Sequence, residues 1–358
     1  MRMAKLSVYR FILRSVRRRI HLNNNAMKIP NSPLTGKPMR VVYESDTEMY
    51  RGEEYSFIYI SFRDDAEGES YTTTESDGIW LSQLTNQYRE KYGIPYQDEI
   101  VALRELYGLS ATKMSMILGF GANQYRLYED GEVPSESNGK MIRSAMNPRV
   151  FLELVKSSRH QLTEKEYAKI SARVQEVVDQ SDQCAEEQRA VERLFRSGRG
   201  LANGFAPVST KRLKNLLLYV LGQMGETYQT KMNKVLFYID FLSYRERGMA
   251  ISGLAYNAIE FGPVPQRWDR VYSAFDEVEE RLRLVQNQEC VSLEAAGEAD
   301  MSCFTEQEMA IINEVCAKVK NMTSRAISKM SHEEPAWKDH VGDTETIPFR
   351  DAFKLVGM

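Results

Sequence analysis

Asp98–Gly131 reads DEIVALRELYGLSATKMSMILGFGANQYRLYEDG, three short helical patterns punctuated by Gly108 and Gly119. Ile100, Val101, Leu103 and Leu106 recur at helical spacing from Asp98 to Tyr107, and Gly108 follows as a C-terminal stop. Ser110 caps a second helix through Leu118 that turns Met114, Ile117 and Leu118 inward, with small Ser115 where two helices cross closely. After Gly119 a third helix runs from about Ala122 to Asp130, anchored by Phe120, Tyr125 and Tyr128. The layout predicts a helix-turn-helix.

The outward residues of that third helix are Ala122, Asn123, Gln124, Arg126 and, toward the flank, Leu127, with Ser110 and Lys113 on the preceding helix. Asn and Gln hydrogen-bond adenine at two atoms and Arg does the same with guanine, so these types in this position point to operator DNA. The order of residues resembles the Cro/repressor-like helix-turn-helix family, and that resemblance implies a pairing of Arg104 with Glu129 across the motif. An ordinary helical hairpin with a solvated polar face is the competing reading. Glu129, Asp130, Glu132 and Glu136 stand against Arg126, Lys140 and Arg143, so the segment is no basic stripe, and DNA binding is expected to be modest, salt-sensitive and dependent on homodimerisation.

At 358 residues the chain is long enough for two or three cores, and 42% hydrophobic with 27% charged residues describes a globular protein. A net charge of −3 means that nucleic-acid binding has to come from a local patch. The four cysteines, Cys184, Cys290, Cys303 and Cys316, form no CxxC pair, which fits free thiols and a cytoplasmic location. No apolar run approaches the roughly 20 residues needed to span a bilayer, and no membrane partner is expected.

The expected fold class is α+β, mostly α. Residues 1–26 form a basic segment that reads as a disordered arm or as a stretch translated ahead of a natural start at Met27. Residues 27–93 form a small β-rich domain. Val41, Val42 and Tyr43, then Tyr55, Phe57, Tyr59 and Phe62, alternate as antiparallel strands broken at Arg51-Gly52 and Glu67-Gly68, and a helix runs from Trp80 to Tyr92. Residues 94–160 carry the helix-turn-helix, 161–198 a long connector helix capped by Thr163, and 199–208 a linker. Tyr167, Ile170, Val174, Val177, Cys184, Val191 and Phe195 keep a heptad-like step along the connector, for packing on a neighbour or on a second copy, or else along a solvated single helix.

Ser32-Pro-Leu-Thr35-Gly36-Lys37 has the shape of a zinc-knuckle turn. With Thr72-Thr73-Thr74-Glu75, a helix ending in Gln87-Tyr-Arg-Glu-Lys-Tyr-Gly93 and the helix-turn-helix, residues 27–146 resemble antitoxins of the MqsA type. Ser32 and Thr35 sit where that resemblance puts cysteines, and hydroxyls do not replace thiolates as structural ligands. No zinc, no other metal and no cofactor is expected, and the sheet is expected to rely on aromatic cross-strand pairs.

Residues 209–358 predict a mainly helical domain with a short sheet: helices Thr210–Gly222 and Thr230–Arg247, an extended segment Ile251–Phe261, and a helix carrying Trp268, Val271, Tyr272 and Phe275. Lys231-Met-Asn-Lys234, Leu236-Phe-Tyr-Ile-Asp240, Ile251-Ser-Gly253, Tyr256, Gly262-Pro-Val-Pro265, Ser331-His332, Pro335 and Trp337 occur in the order of the Panacea, or SocA-like, antitoxin domain, which this region resembles. The resemblance implies a type II antitoxin whose C-terminal domain neutralises a cognate protein toxin by direct contact, with an N-terminal part that represses its own operon.

No nucleophile with a base, paired catalytic carboxylates or phosphate-cradling loop assembles, so the chain is read as a non-enzyme. His332 and His340 near Glu333, Glu334 and Asp339 read as capping and solvating residues before they read as a metal site. Tyr238, Tyr244, Tyr256, Phe261 and Trp268, with the Pro263-Val264-Pro265 turn, are the candidate toxin contacts, because aromatic side chains offer large area at low entropic cost. Core packing is the alternative for those aromatics. For the whole chain the alternatives are a helix-turn-helix regulator without a toxin, or a protease adaptor.

Overall fold

The computed structural model describes residues 29–181, 190–191, 193–195, 198–285, 288–342 and 346–358. The basic segment 1–26, and Cys184 within the expected connector, lie outside the described residues. The fold is α+β and mostly helical, with small antiparallel sheets. Residues 91–183 cluster as one compact unit, and residues 24–90 with 184–358 as another.

Strands β1 (Arg40–Tyr50) and β2 (Glu53–Arg63) form a hairpin joined by Arg51 and Gly52 alone, both at positive φ (51° and 90°). Two positive φ angles in a two-residue loop give the turn whose twist matches the strands, which explains a glycine at the second position. The Arg51 guanidinium lies 4.9 Å from the Tyr88 ring. Short β3 (Ser70–Tyr71) extends the sheet beside Phe62 and Arg63.

Helix α1 (Thr74–Tyr92) begins six residues before its expected start. Thr73 and Ser76 bond each other's amides, with Glu75 and Asp77 in the first turn, and this local cap outweighs Gly78 in the interior. The expected aromatic cross-strand pairs are not what holds the sheet. Register sets Tyr59, Phe57 and Tyr55 opposite Glu44, Asp46 and Glu48. The aromatics pack on α1 instead, Phe57 stacking on Trp80 at 5.0 Å and Tyr55 meeting Tyr88 edge-on. Beyond the short β3, Gln83 satisfies both backbone groups of Ile58 (3.0 and 3.1 Å) and Gln87 the carbonyl of Ser56.

In the knuckle turn, the Ser32 hydroxyl accepts from the Leu34 and Thr35 amides, and Thr35 Oγ1 donates to Asp64 Oδ2 at 2.9 Å. Asp64 also closes the loop to Gly68 through its carbonyl and the Ala66 amide through Oδ1. Hydrogen bonds from the Ser32 hydroxyl first, then from the Ala66 amide and the Thr35 hydroxyl, hold its carboxyl below the usual range. Two loops are therefore pinned by a hydroxyl–carboxylate cluster.

The unit of residues 91–183 is built from α2 (Gln97–Leu106), α3 (Ala111–Ile117), α4 (Gln124–Glu129), α5 (Glu136–Ala145), α6 (Pro148–Ser157) and α7 (Glu164–Ser181). Ile100, Leu103, Met114, Ile117, Tyr125, Ile142, Phe151, Val155 and Val174 share its core, where Tyr107 and Phe151 stack at 4.0 Å. Ile170, Val174 and Val177 of the connector helix α7 are buried against this core rather than solvated. Thr163 and Glu166 cap α7 reciprocally.

The other unit centres on α9 (Gln229–Arg247), buried continuously from Lys231 to Tyr244. Around it lie α8 (Thr210–Met224), α11 (Glu306–Val319), α12 (Ser324–His332), α13 (Pro335–Lys338) and the terminal 3-10 turn Phe349–Lys354, after the single-turn α10 (Trp268–Val271). β5 (Tyr256–Ile259) pairs with β6 (Gly262–Pro265), and β4 (Thr227–Tyr228), β8 (Gln288–Ala295) and β7 (Val278–Val285) form a three-stranded sheet in that order. The helix expected to reach Phe275 stops at Val271, and the chain turns into β7. Tyr43 of β1 meets Phe353 at 5.5 Å, and Leu201 N donates to Glu90, so the N-terminal sheet and α1 pack within this unit.

The Tyr125 hydroxyl, fully buried, donates to the Ile100 carbonyl at 2.7 Å. Tyr125→Phe should therefore cost about 1 kcal/mol in chemical denaturation of the full chain, since it removes that buried hydrogen bond. An unchanged midpoint contradicts this assignment.

Candidate interaction surfaces

Helix α4 is held from three sides. Tyr125 N donates to the buried Ser115 Oγ at 2.9 Å, so the small residue on α3 lets the helices approach and supplies the acceptor. Asn138 Nδ2 reaches the Tyr128 hydroxyl at 2.7 Å, and Gln97 Nε2 donates to the Glu129 carbonyl. Arg104 Nε meets Glu129 Oε1 at 2.5 Å while its Nη1 bonds the Leu109 carbonyl, the pairing expected across the motif.

With Tyr125 and Tyr128 turned inward, the opposite side of α4 is solvent-facing. Ala122, Asn123 and Arg126 are exposed, Gln124 half-buried, and Leu127 38% exposed. The Asn123 side chain does not cap its own helix, and Arg126 has no ion pair among the described residues. Other expected members are engaged: Lys113 pairs with Glu166 at 2.8 Å, the Ser110 hydroxyl accepts the Lys113 amide, and Gln124 bonds Glu132. The Lys113 ammonium and the Thr163 cap bring Glu166 down to about 2.

In the C-terminal elements Asp240 is fully buried on α9. Its Oδ1 accepts from the amides of Ile251 (2.9 Å) and Ser252 (2.8 Å), and its Oδ2 from the hydroxyls of Ser252 and Tyr256. Burial pushes its pKa up and the four donors oppose that. Gly253 (φ 82°) and Gly262 (φ 98°) mark close approaches: a β-carbon at Gly253 would meet the Pro207 carbonyl at 2.7 Å, and one at Gly262 would meet Lys234 Cε at 2.8 Å and Ser331 Oγ at 3.0 Å.

Lys231 Nζ donates to the carbonyls of Lys320 and Met322 beyond α11, Tyr272 donates to Asn233, and Trp337 Nε1 to the Ile259 carbonyl. His332 stacks on Trp337 at 4.3 Å while His340 bonds Asp351 at 2.8 Å, so the two histidines serve separate contacts. Among the described residues no three His, Cys, Asp or Glu side chains converge as a metal site would require.

The motif residues that suggested a contact surface are largely interior, which corrects most of the candidate toxin contacts. Tyr238, Tyr244 and Tyr256 are at most 2% exposed, and Pro263, Val264 and Pro265 are buried in β6. The reason is chemical: Tyr256 spends its hydroxyl on Asp240, Tyr244 packs between Phe205 and Phe349, and Tyr238 lies edge-on to Phe237. Phe261, 69% exposed at the β5–β6 turn, and Trp268, 41% exposed, remain at the surface.

Residues 232–338 match the family model described as antitoxin SocA-like, Panacea domain. The match runs from Met232 in the first turn of α9 to the end of α13, and within it lie Asp240, its three partner residues, Gly262 and Trp337. Comparison with curated proteins and with solved structures found no match. Among the described residues no helix is long and apolar enough to cross a membrane.

Asp240→Ala should destabilise the full chain by about 3–5 kcal/mol in denaturant titrations followed by tryptophan fluorescence, because two amides and two hydroxyls lose their acceptor. Asp240→Asn should fall between, since it retains one acceptor oxygen but turns two donors toward donors.

Partly buried Glu246 carries an Oε2 without a partner among the described residues, and burial, then nearby Glu314, push it up to about 7. A carboxyl whose folded pKa exceeds its unfolded value of 4.5 stabilises the fold only when protonated, so this contribution is complete at low pH and lost as pH rises through 7. Glu246→Gln should remove that slope and raise the melting temperature above wild type at pH 8. Parallel pH profiles for the two proteins contradict the assignment.

Proposed function

We propose that this chain is the antitoxin of a bacterial type II toxin–antitoxin system. The observation that carries the reading is the Panacea match over residues 232–338, which supports an antitoxin role. The C-terminal elements neutralise a cognate protein toxin by direct binding, covering its active site or substrate path. No bond is made or broken, so the chain is a non-catalytic, recognition-only partner.

In the same proposal the α3–α4 pair is a helix-turn-helix that represses the chain's own operon. What supports it is the outward set on α4: Asn123 and Arg126 are exposed, while Arg104, Ser115, Tyr125 and Tyr128 fix the helix behind them. A homodimer would set two such helices against operator half-sites about one helical turn apart. Arg126 and Asn123 read base edges, and the ion-paired surroundings leave little surplus charge for phosphates, so few counterions are released on binding and affinity is modest.

Asn123→Ala with Arg126→Ala should weaken retardation of the chain's own promoter fragment at least about 30-fold, since each bidentate base contact contributes about 1–3 kcal/mol of discrimination. Growth rescue on co-expression with the toxin should persist. Retained retardation contradicts the DNA assignment; lost rescue contradicts the division of labour between the two parts.

A further inference from the structure

Strand β7 lies at the edge of its sheet. It pairs with β8 from Val278↔Ala295 to Val285↔Gln288, and no strand among the described residues occupies its other side. From Glu279 to Val285 every residue is exposed. An edge of this length presents a row of unpaired amides and carbonyls, which selects one kind of partner, an extended chain adding as a further strand.

The two faces of the hairpin differ. On one, Glu280 sits beside buried Leu293, Leu282 beside Val291, and Leu284 beside Glu289. The face that enters the core at Leu293 thus continues outward as an apolar stripe with Leu282 at 69% and Leu284 at 73% exposure. On the other face the charges are tied within the chain: Arg281 to Glu279 and Glu294, and Arg283 to Glu226 at 2.8 Å. Leu282 and Leu284 are the uncovered part.

A second copy fits this edge poorly. The antiparallel register that sets Leu282 against Leu284 of a second copy, and so covers both leucines, also sets Arg283 against Arg283, and like charges directly opposite are destabilising. A complementary strand has apolar side chains opposite Leu282 and Leu284 and uncharged ones opposite Arg281 and Arg283, whose charges are already paired.

We propose that β7 is the docking edge for the toxin, which adds an extended segment with apolar side chains facing Leu282 and Leu284 to the β4–β8–β7 sheet. This rests on the antitoxin reading above. The alternation of Arg281, Leu282, Arg283 and Leu284 is its trace in the sequence, at a period of two that the helical reading of the preceding residues obscured.

The test uses the full chain and the protein encoded by the neighbouring reading frame as probe, with amide hydrogen exchange and affinity measured together. Complex formation should slow exchange across residues 279–285 about tenfold or more. Leu282→Lys with Leu284→Lys, on exposed positions, should leave the melting temperature unchanged and weaken the complex at least about tenfold. A wild-type complex with unchanged exchange in β7, or an unaffected double variant, overturns the docking edge and leaves the antitoxin reading standing. A wild-type chain that forms no complex overturns the antitoxin reading and this proposal with it. A concentration-dependent dimer abolished by the double variant assigns the edge to a second copy and overturns it too.

Discussion

The buried carboxylate of Asp240 is the constraint around which the Panacea-like elements are arranged. A lone carboxylate sealed in an apolar interior is costly, and here four donors from the Ile251–Tyr256 stretch compensate it. Those donors can converge only if the chain after α9 doubles back tightly. Gly253 meets the Pro207 carbonyl in that return, and Gly262 lets the β5–β6 hairpin press on Lys234 and Ser331. The hairpin in turn supplies the Ile259 carbonyl to Trp337, which fixes α13. One buried charge thus accounts for the loop, the hairpin and the last helices together.

Residues 91–183 solve a different problem. Helix α4 has only six residues, too few to persist on its own, so its order has to come from tertiary anchors. Ser115, Asn138, Gln97 and Arg104 each hold one point of it. All of these act from the inner side or the ends, which leaves Asn123 and Arg126 outside. A short helix presented rigidly with its polar side outward suits recognition of a shaped partner at low entropic cost.

What could be read in advance followed the range of the interaction. The Ser110 cap, the glycines at positions 108 and 119 and the inward Met114, Tyr125 and Tyr128 are local signals, and the helices formed where those signals placed them. The Arg104–Glu129 contact came from family resemblance rather than spacing. The aromatic residues of α9 were ambiguous because helical spacing tells a core stripe from a contact stripe only when a polar side exists, and α9 has none between Lys231 and Tyr244. The β4–β8–β7 sheet was missed because its pairing joins residues 227–228 to 292–293, a contact without local signature. The packing of β1 near Phe353 is likewise a contact between side chains some three hundred residues apart.

In the proposed function this chain acts by holding a protein toxin. The most direct test of that proposal is native mass spectrometry of the full chain mixed with the product of the neighbouring reading frame, with residual toxin activity assayed in the same sample. A stoichiometric complex in which that activity disappears is the predicted result. Free components with undiminished toxin activity would contradict the account.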